Sequence, residues 1–468
     1  MNAHNLTYQF AQWACELTDA DIPHEVKVAA HRAMLDTLAV TLAGSVHLDI
    51  RKLAEIWPSH GGTSQLATGG KSSAEIAALV NGSAAHFWDF DDTSYTGIMH
   101  GSAVVFPTVI ALAQELGASE EELQTSFIVG SEIAYVLADI CTHQHYFNGW
   151  WSTVTFGLVG ATAAAAKLLG CNHAQTAQAI GLAAAAAGSG KSVFGTHAKP
   201  FLVGEAAQRA ILFARFTASG LTGPEASFSG GTGFFHLLNN DISRINEVET
   251  LGQCWRLIEP GLMVKRYPVC SAAHAVIEEI ARLTFETGLA PDDIDTILVE
   301  VPELVRISLV YDKPKTPSEA QFSLPFVAAC AVRYGTVRLS DLSKELLGSS
   351  VQQTLMQKTQ ITVADDLSTE KMRQRFPESA RVEIKLKDGS SRTGFCGEAY
   401  GMPKNPLKDT DFYLKLKECI VFAGRTEVSD MLERDVLQLA EQLMGKIPNN
   451  PICSLSKGGE QTNVYKEK

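Results

Sequence analysis

Between Gly160 and Gly190 the chain carries two runs built almost wholly from small residues, GATAAAAKLLG (160–170) and AIGLAAAAAGSG (179–190). Alanine is the strongest helix former, and neither run contains proline, so both segments read as helices. Faces that offer only hydrogens and methyl groups let helices approach one another closely. These runs therefore call for a tightly packed helical body, and they leave room for a ligand where the helices end.

The rest of the first half agrees. Leu6, Phe10, Trp13, Ala14 and Leu17 form the apolar stripe of an amphipathic helix. Pro23 opens a second helix that Gly44 closes. Ser119 and Glu122 form a capping box ahead of a helix running towards Cys141. Asn172 caps the run to Ala187, and Gly204 to Ala218 is helical in pattern. Around residue 255 the texture changes. CWRLIEPGLMVKRYP (254–268) reads as an extended segment leading into a helix at Ser271–Thr284. Asp295–Pro302 and Ala380–Lys387 alternate apolar and polar residues as half-exposed strands do. Asp388-Gly389 marks a turn, with Arg392–Cys396 as the returning strand. Helical patterns resume at Ser323–Arg333, Asp411–Phe422 and Glu427–Met444. The fold class expected is mainly α: a large all-helical domain formed by both chain ends (1–264 plus 401–468) around an inserted, smaller α+β domain (265–400). The polar tail after Asn449 is expected to fray, and no 20–50-residue repeat is present.

Hydrophobic residues are 46% and charged residues 19% of the chain, which suits a soluble globular protein. A formal charge of −13 argues against nucleic acid or an anionic membrane surface as partner. The nine cysteines (15, 141, 171, 254, 270, 330, 396, 419 and 453) are scattered, odd in number and never spaced C-x-x-C. That pattern suits reduced thiols rather than a disulfide framework or a zinc site. The opening MNAHNLTYQFAQW lacks the basic-then-apolar order of a signal peptide. The most apolar stretch, Val154–Gly170, is too short and mixed to span a bilayer. A cytoplasmic location is expected.

Several motifs compete. Ala187-Gly-Ser-Gly-Lys-Ser192 is half a P-loop, but the full pattern needs glycine at 185, where alanine stands, and a preceding strand, where the pattern is helical. HFWDFDDTSYTGIMHG (86–101) places three carboxylates within four residues. Asp89-x-Asp91-x-Thr93 matches an aspartyl-phosphatase signature, whose acids must end a buried parallel strand. Residues 81–88 are no such strand. An EF-hand starting at Asp89 would need glycine at 94 and glutamate at 100; serine and histidine occupy them. The bland alternative is a solvated acidic turn. Lys199, beside Pro200 between a glycine-rich stretch and a helix start, is either an exposed loop lysine or a proton-transfer base with a depressed pKa. Lys265-Arg266 lies at the expected domain junction, where two cations can hold carboxylates, with Cys270 and His274 just beyond.

Together NGSAAHFWDFDDT…H, TFGLVGATAAAAKLLG, HAKPFLVGEAAQRA, SGGTGFF, KRYPVCSAAH and FSLPF resemble the MmgE/PrpD family over nearly the whole chain. Members of that family dehydrate 2-methylcitrate, decarboxylate cis-aconitate or epimerise iminodisuccinate. The resemblance implies the same two-part fold, a homodimer, and chemistry without metal or organic cofactor. It implies active-site roles for Asp89, Thr93, His100 and Lys199, leaving Asp91 and Asp92 as structural. The chain also departs from the family. Trp151 stands where decarboxylase-like members carry a histidine, Phe326 where a tyrosine is common, and Cys270 where the decarboxylase has a further histidine. Those losses remove proton donors, so the expectation is a cofactor-independent epimerase of a small, iminodisuccinate-like amino-polycarboxylate. In it Lys199 and His100 exchange the α-proton, Asp89 orients them, and Tyr146 is an alternative second acid/base. Thr93, Lys265, Arg266, His274 and Trp151 are expected to contact the substrate. The alternatives are a dehydratase or decarboxylase of a tricarboxylate, or a non-catalytic polycarboxylate-binding protein.

Overall fold

The small-residue runs do set the packing. A computed structural model of the chain describes residues 6–57, 61–239, 243–426, 428 and 430–444. Cys453 and the tail after Asn449 lie outside them. The helical body is made of α1 (Leu6–Glu16), α2 (His24–Ser45), α3 (Ala74–Ala85), α4 (Ser102–Leu116), α5 (Glu120–Cys141), α6 (Ser152–Leu168), α7 (His173–Ala186) and α8 (Ala198–Ala218). The capping boxes at Ser119/Glu122 and Asn172/Gln175 form as the spacing demands. A β-carbon on Gly160 would lie 2.1 Å from the Gly130 carbonyl oxygen, so α5 and α6 touch backbone to backbone. A β-carbon on Gly204 would lie 2.0 Å from the Leu79 carbonyl oxygen, and one on Gly82 2.9 Å from the Gly204 α-carbon. Only glycine permits this crossing of α3 and α8, which brings the end of one helix against the start of the other.

The second part centres on a four-stranded sheet of order β4-β3-β5-β6, with β3 (Ile294–Val301), β4 (Thr359–Val363), β5 (Ala380–Leu386) and β6 (Ser391–Cys396). β3 and β4 are parallel; the β3–β5 and β5–β6 pairs are antiparallel, with Val299 opposite Val382. Ile294, Ile297, Val299, Val301, Val382 and Ile384 are buried beneath α9 (His274–Leu283) and α10 (Leu324–Tyr334). The chain then returns: α11 (Asp409–Phe422) lies along α2. Its Lys415 ammonium pairs with Asp36 at 2.6 Å and donates to the Phe90 carbonyl at 2.9 Å.

Three expectations change. α8 begins at Ala198 rather than Gly204, so Lys199 sits in its first turn and not in a loop; Pro200 is tolerated there because first-turn amides have no partner to lose. The segment 254–268 is mostly turns, with only β2 (Leu262–Met263) extended; β2 pairs with β1 (Thr93–Ser94). The last helix, α12, spans only Val436–Leu443, its first amides accepted by the Glu120 carboxylate at 3.0 and 2.9 Å. Among the described residues every cysteine is free, and no single helix is long and apolar enough to cross a membrane.

Candidate active site

One loop supplies most of the candidate site. It leaves α3 at His86, passes Asp89, Asp91 and Asp92, forms β1, turns at Gly97 and closes on His100 before α4. Asp89 has φ of +49°, the left-handed region that aspartate enters more readily than most residues. Its carbonyl is held there by the Lys265 ammonium, which donates to it at 2.6 Å. The Gly82–Gly204 crossing carries Lys199 onto this loop.

The Lys199 ammonium, 4% exposed, donates to Asp89 Oδ1 at 2.9 Å and contacts His86 Nε2 in a short hydrogen bond. Its nitrogen also lies 5.3, 5.2 and 5.1 Å from the ring centres of Trp151, Phe194 and Phe322. His86 Nδ1 lies 2.8 Å from Asp91 Oδ2. A carboxylate only accepts, so Nδ1 carries the proton and Nε2 offers its lone pair to Lys199. Asp91 thus fixes the tautomer that receives the lysine. His100 obeys the same logic: its Nδ1 lies 2.8 Å from the Asp92 carbonyl oxygen and 3.3 Å from Thr93 Oγ1. Its Nε2 therefore holds the lone pair, 3.8 Å from the same Asp89 Oδ1 that binds Lys199.

Burial sets the charges. It pushes His100 down to about 3 and lowers His86, so both rings are neutral near pH 7. Burial would raise Asp89, but the charges of Lys199 and Lys265 outweigh it and hold Asp89 well below the usual carboxylate range. For Lys265, burial is likewise outweighed, by Asp89 and Asp91, and its pKa rises. Asp91 falls too, its burial overcome by the two histidines and the His86 hydrogen bond. For Asp92 burial wins, pushing it up to about 8 despite a 2.6 Å hydrogen bond accepted from Ser102 and the charge of Lys415.

The donor atoms of His86, Asp89, Asp91 and His100 lie within 4.8 Å of one another, a spacing that also suits a metal ion. Two ammonium groups already flank the Asp89 carboxylate, Lys199 at 2.9 Å and Lys265 at 3.4 Å. A divalent cation would have to displace or repel both, so the donor set fits a metal poorly.

Asp89, Thr93, His100 and Lys199 thus converge as expected from the sequence. The other candidate residues are placed as follows. Lys265 is fully buried, donating to the Asp89 carbonyl at 2.6 Å with its ammonium 3.4 Å from the Asp89 carboxylate. Arg266 is exposed, with its guanidinium over Tyr267 and Tyr400, because successive side chains of this segment point opposite ways. His274 is fully buried against the Tyr267 ring, 4.9 Å between centres. Trp151, 1% exposed, packs behind His86 and beside Lys199. Tyr146 lies 2.9 Å from Ser308 Oγ, whose own proton goes to the Leu304 carbonyl. The Tyr146 proton is therefore directed to Ser308, and burial raises its pKa. The sequence reading missed His86, whose only local signal is its position five residues before Asp91. It also missed Glu378, buried and accepting from Tyr95 at 2.7 Å and Ser271 at 2.9 Å.

A cleft of about 250 Å³, counted with the solvent at its mouth, reaches Lys199 and His86 between Thr196, His197, Gln321 and Phe322.

Residues 8–243 match the MmgE/PrpD N-terminal domain and residues 267–437 the MmgE/PrpD C-terminal domain. The chain is 24% identical over 448 residues to a cis-aconitate decarboxylase of Mus musculus, covering 91% of this chain and 87% of the relative. It is 25% identical over 393 residues to a cis-aconitate decarboxylase of Homo sapiens, covering 81% and 78%. A cis-aconitate decarboxylase-like protein of Aspergillus oryzae is 24% identical over 466 residues, covering 93% and 94%.

Proposed function

The chain belongs to the MmgE/PrpD family, and from that premise we propose that it is a lyase of a small polycarboxylate, with decarboxylation of an aconitate-like acid as the leading reaction. The supporting observation is the Lys199 ammonium, held between Asp89 and His86 inside three aromatic rings. When a carboxylate leaves as carbon dioxide, the carbon–carbon pair stays behind as a carbanion that must be protonated. Lys199 supplies that proton and regains one from water through the cleft that reaches it. Asp89 and His86 fix the donor within an ångström-scale tolerance, which is where most of the acceleration from positioning arises.

Epimerisation is the second reading, favoured by one observation. His100 Nε2 offers a lone pair 3.8 Å from the carboxylate oxygen that also binds Lys199, so a donor and an acceptor face one point. Trp151 cannot donate as a histidine would, and burial pushes the Cys270 thiol up to about 12.

One experiment separates these readings: NMR in deuterium oxide with cis-aconitate, 2-methylcitrate and iminodisuccinate or aspartate-like acids. The lyase reading expects carbon dioxide or a new alkene, with one deuterium per decarboxylation. Deuterium exchange at the α-carbon without either product replaces it with epimerisation. Binding without exchange or product refutes both.

A further inference from the structure

Lys199 and Lys265 are both committed to Asp89, and Arg266 turns outward over two tyrosine rings. With Asp91 counted beside Asp89, these two ammonium charges are balanced within the cluster, so a substrate with several carboxylates calls for a further cation. A different lysine is uncommitted. Lys191, from the half P-loop at 187–192, places its ammonium 3.7 Å from the centre of the Tyr146 ring. Among the described residues no carboxylate lies within ion-pair distance of it. It is partly buried, and burial alone brings its pKa down to about 8.

The backbone fixes where this lysine stands. Lys191 N donates to the Gly149 carbonyl at 2.9 Å, Trp151 N to Ser189 at 2.7 Å, and Trp150 bridges Gly190. The glycine-rich turn is therefore laced to the segment carrying Trp151, whose ring faces the Lys199 ammonium. The same turn continues through Phe194, which packs on Trp151 and Lys199, to the start of α8. Lys191 thus stands on the loop that also shapes the wall around Lys199.

We propose that Lys191, seated on the Tyr146 ring, is the anion-binding pole for a second carboxylate of the substrate, making this a site for acids with two or more carboxylates. A partly desolvated ammonium resting on an aromatic face keeps much of its charge available to an incoming anion. The inference rests on the polycarboxylate reading above.

Its test uses propane-1,2,3-tricarboxylate, which cannot react, titrated calorimetrically into the full chain. The expected result is binding by the wild-type chain, at least tenfold weaker binding by Lys191→Gln, and affinity within about threefold of wild type for Lys191→Arg. Retention in Lys191→Arg shows that charge matters and that the loop is intact. Equal affinity of wild type and Lys191→Gln overturns the inference and leaves the polycarboxylate reading standing. Loss in Lys191→Arg as severe as in Lys191→Gln also overturns it. Failure of the wild-type chain to bind overturns both.

Discussion

Asp89 is the single carboxylate between two buried ammonium groups, so Asp89→Asn should expose what the cluster depends on. At an effective dielectric of about 20, its attractions to Lys199 at 2.9 Å and Lys265 at 3.4 Å are about 6 and 5 kcal/mol before desolvation is counted. An amide can turn its oxygen to only one ammonium; its own –NH2 then faces the other. Breaking a buried ion pair in this way costs about 3–5 kcal/mol net. With an unfolding entropy of about 2.1 cal/mol/K per residue, 468 residues convert that to a melting temperature lower by about 3–5 °C. Removing one of the two cations should return part of the loss. The double variant Asp89→Asn/Lys265→Met is therefore expected to be about 1–2 kcal/mol more stable than the sum of the single losses, the coupling typical of contacting groups. Calorimetric melts of the wild type, both singles and the double at pH 7.5 provide the measurement. An Asp89→Asn chain melting with the wild type, or a double variant whose loss equals the summed singles, would refute the charge balance.

The remaining predictions are shorter. Lys199→Ala should abolish deuterium incorporation into product or substrate, a loss of about 10²-fold or more; retained incorporation removes Lys199 as the proton donor. His100→Gln should divide the two functional readings, since epimerisation loses its acceptor while decarboxylation keeps its donor; the ratio of exchange to carbon dioxide release measures this. Asp92 has a folded pKa near 8, above its unfolded value, so its contribution to stability is greatest below about pH 4 and is lost as pH rises towards 8. Asp92→Asn, which mimics the protonated acid, should therefore gain on the wild type by about 1.4 kcal/mol per pH unit across that window, read from denaturant midpoints; a constant difference would contradict the buried neutral acid. Gly204→Ala forces a methyl onto the Leu79 carbonyl and should cost about 3 kcal/mol or more while reducing turnover, because it shifts Lys199 with α8; an active, fully stable variant would refute the tight crossing.

What the sequence disclosed follows from how far each signal reaches along the chain. The helices and their caps depend on residues three or four apart, so Ser119/Glu122 and Asn172/Gln175 could be read directly. Strands β3 and β5 were legible from their alternation. The site was legible only where the family pattern marked it. His86 at the end of α3 has the local look of a helix-end residue, and its role depends on Lys199, 113 positions later. That encounter is created by Gly82 and Gly204, each unremarkable alone. Lys265 and Arg266 read as an equivalent pair, but their neighbours send one into the cluster and the other to solvent. Tyr146 could be an acid on paper; Ser308, 162 positions away, decides where its proton points.

The charge balance also bears on which reaction the cluster favours. An epimerase needs a group to take the α-proton and hold it while the other face is protonated. His100 is the acceptor present, and burial has driven its pKa to about 3. Storing a proton there near pH 7 costs about 5 kcal/mol, at 1.36 kcal/mol per unit, unless a substrate carboxylate nearby offsets it. Loss of carbon dioxide asks for no acceptor. It removes one negative charge from the substrate while Lys199 gives up one positive charge, so the net charge inside the cluster is unchanged until water restores the lysine. Donation from an ammonium already fixed by Asp89 and His86 is the transfer this arrangement supports at least cost.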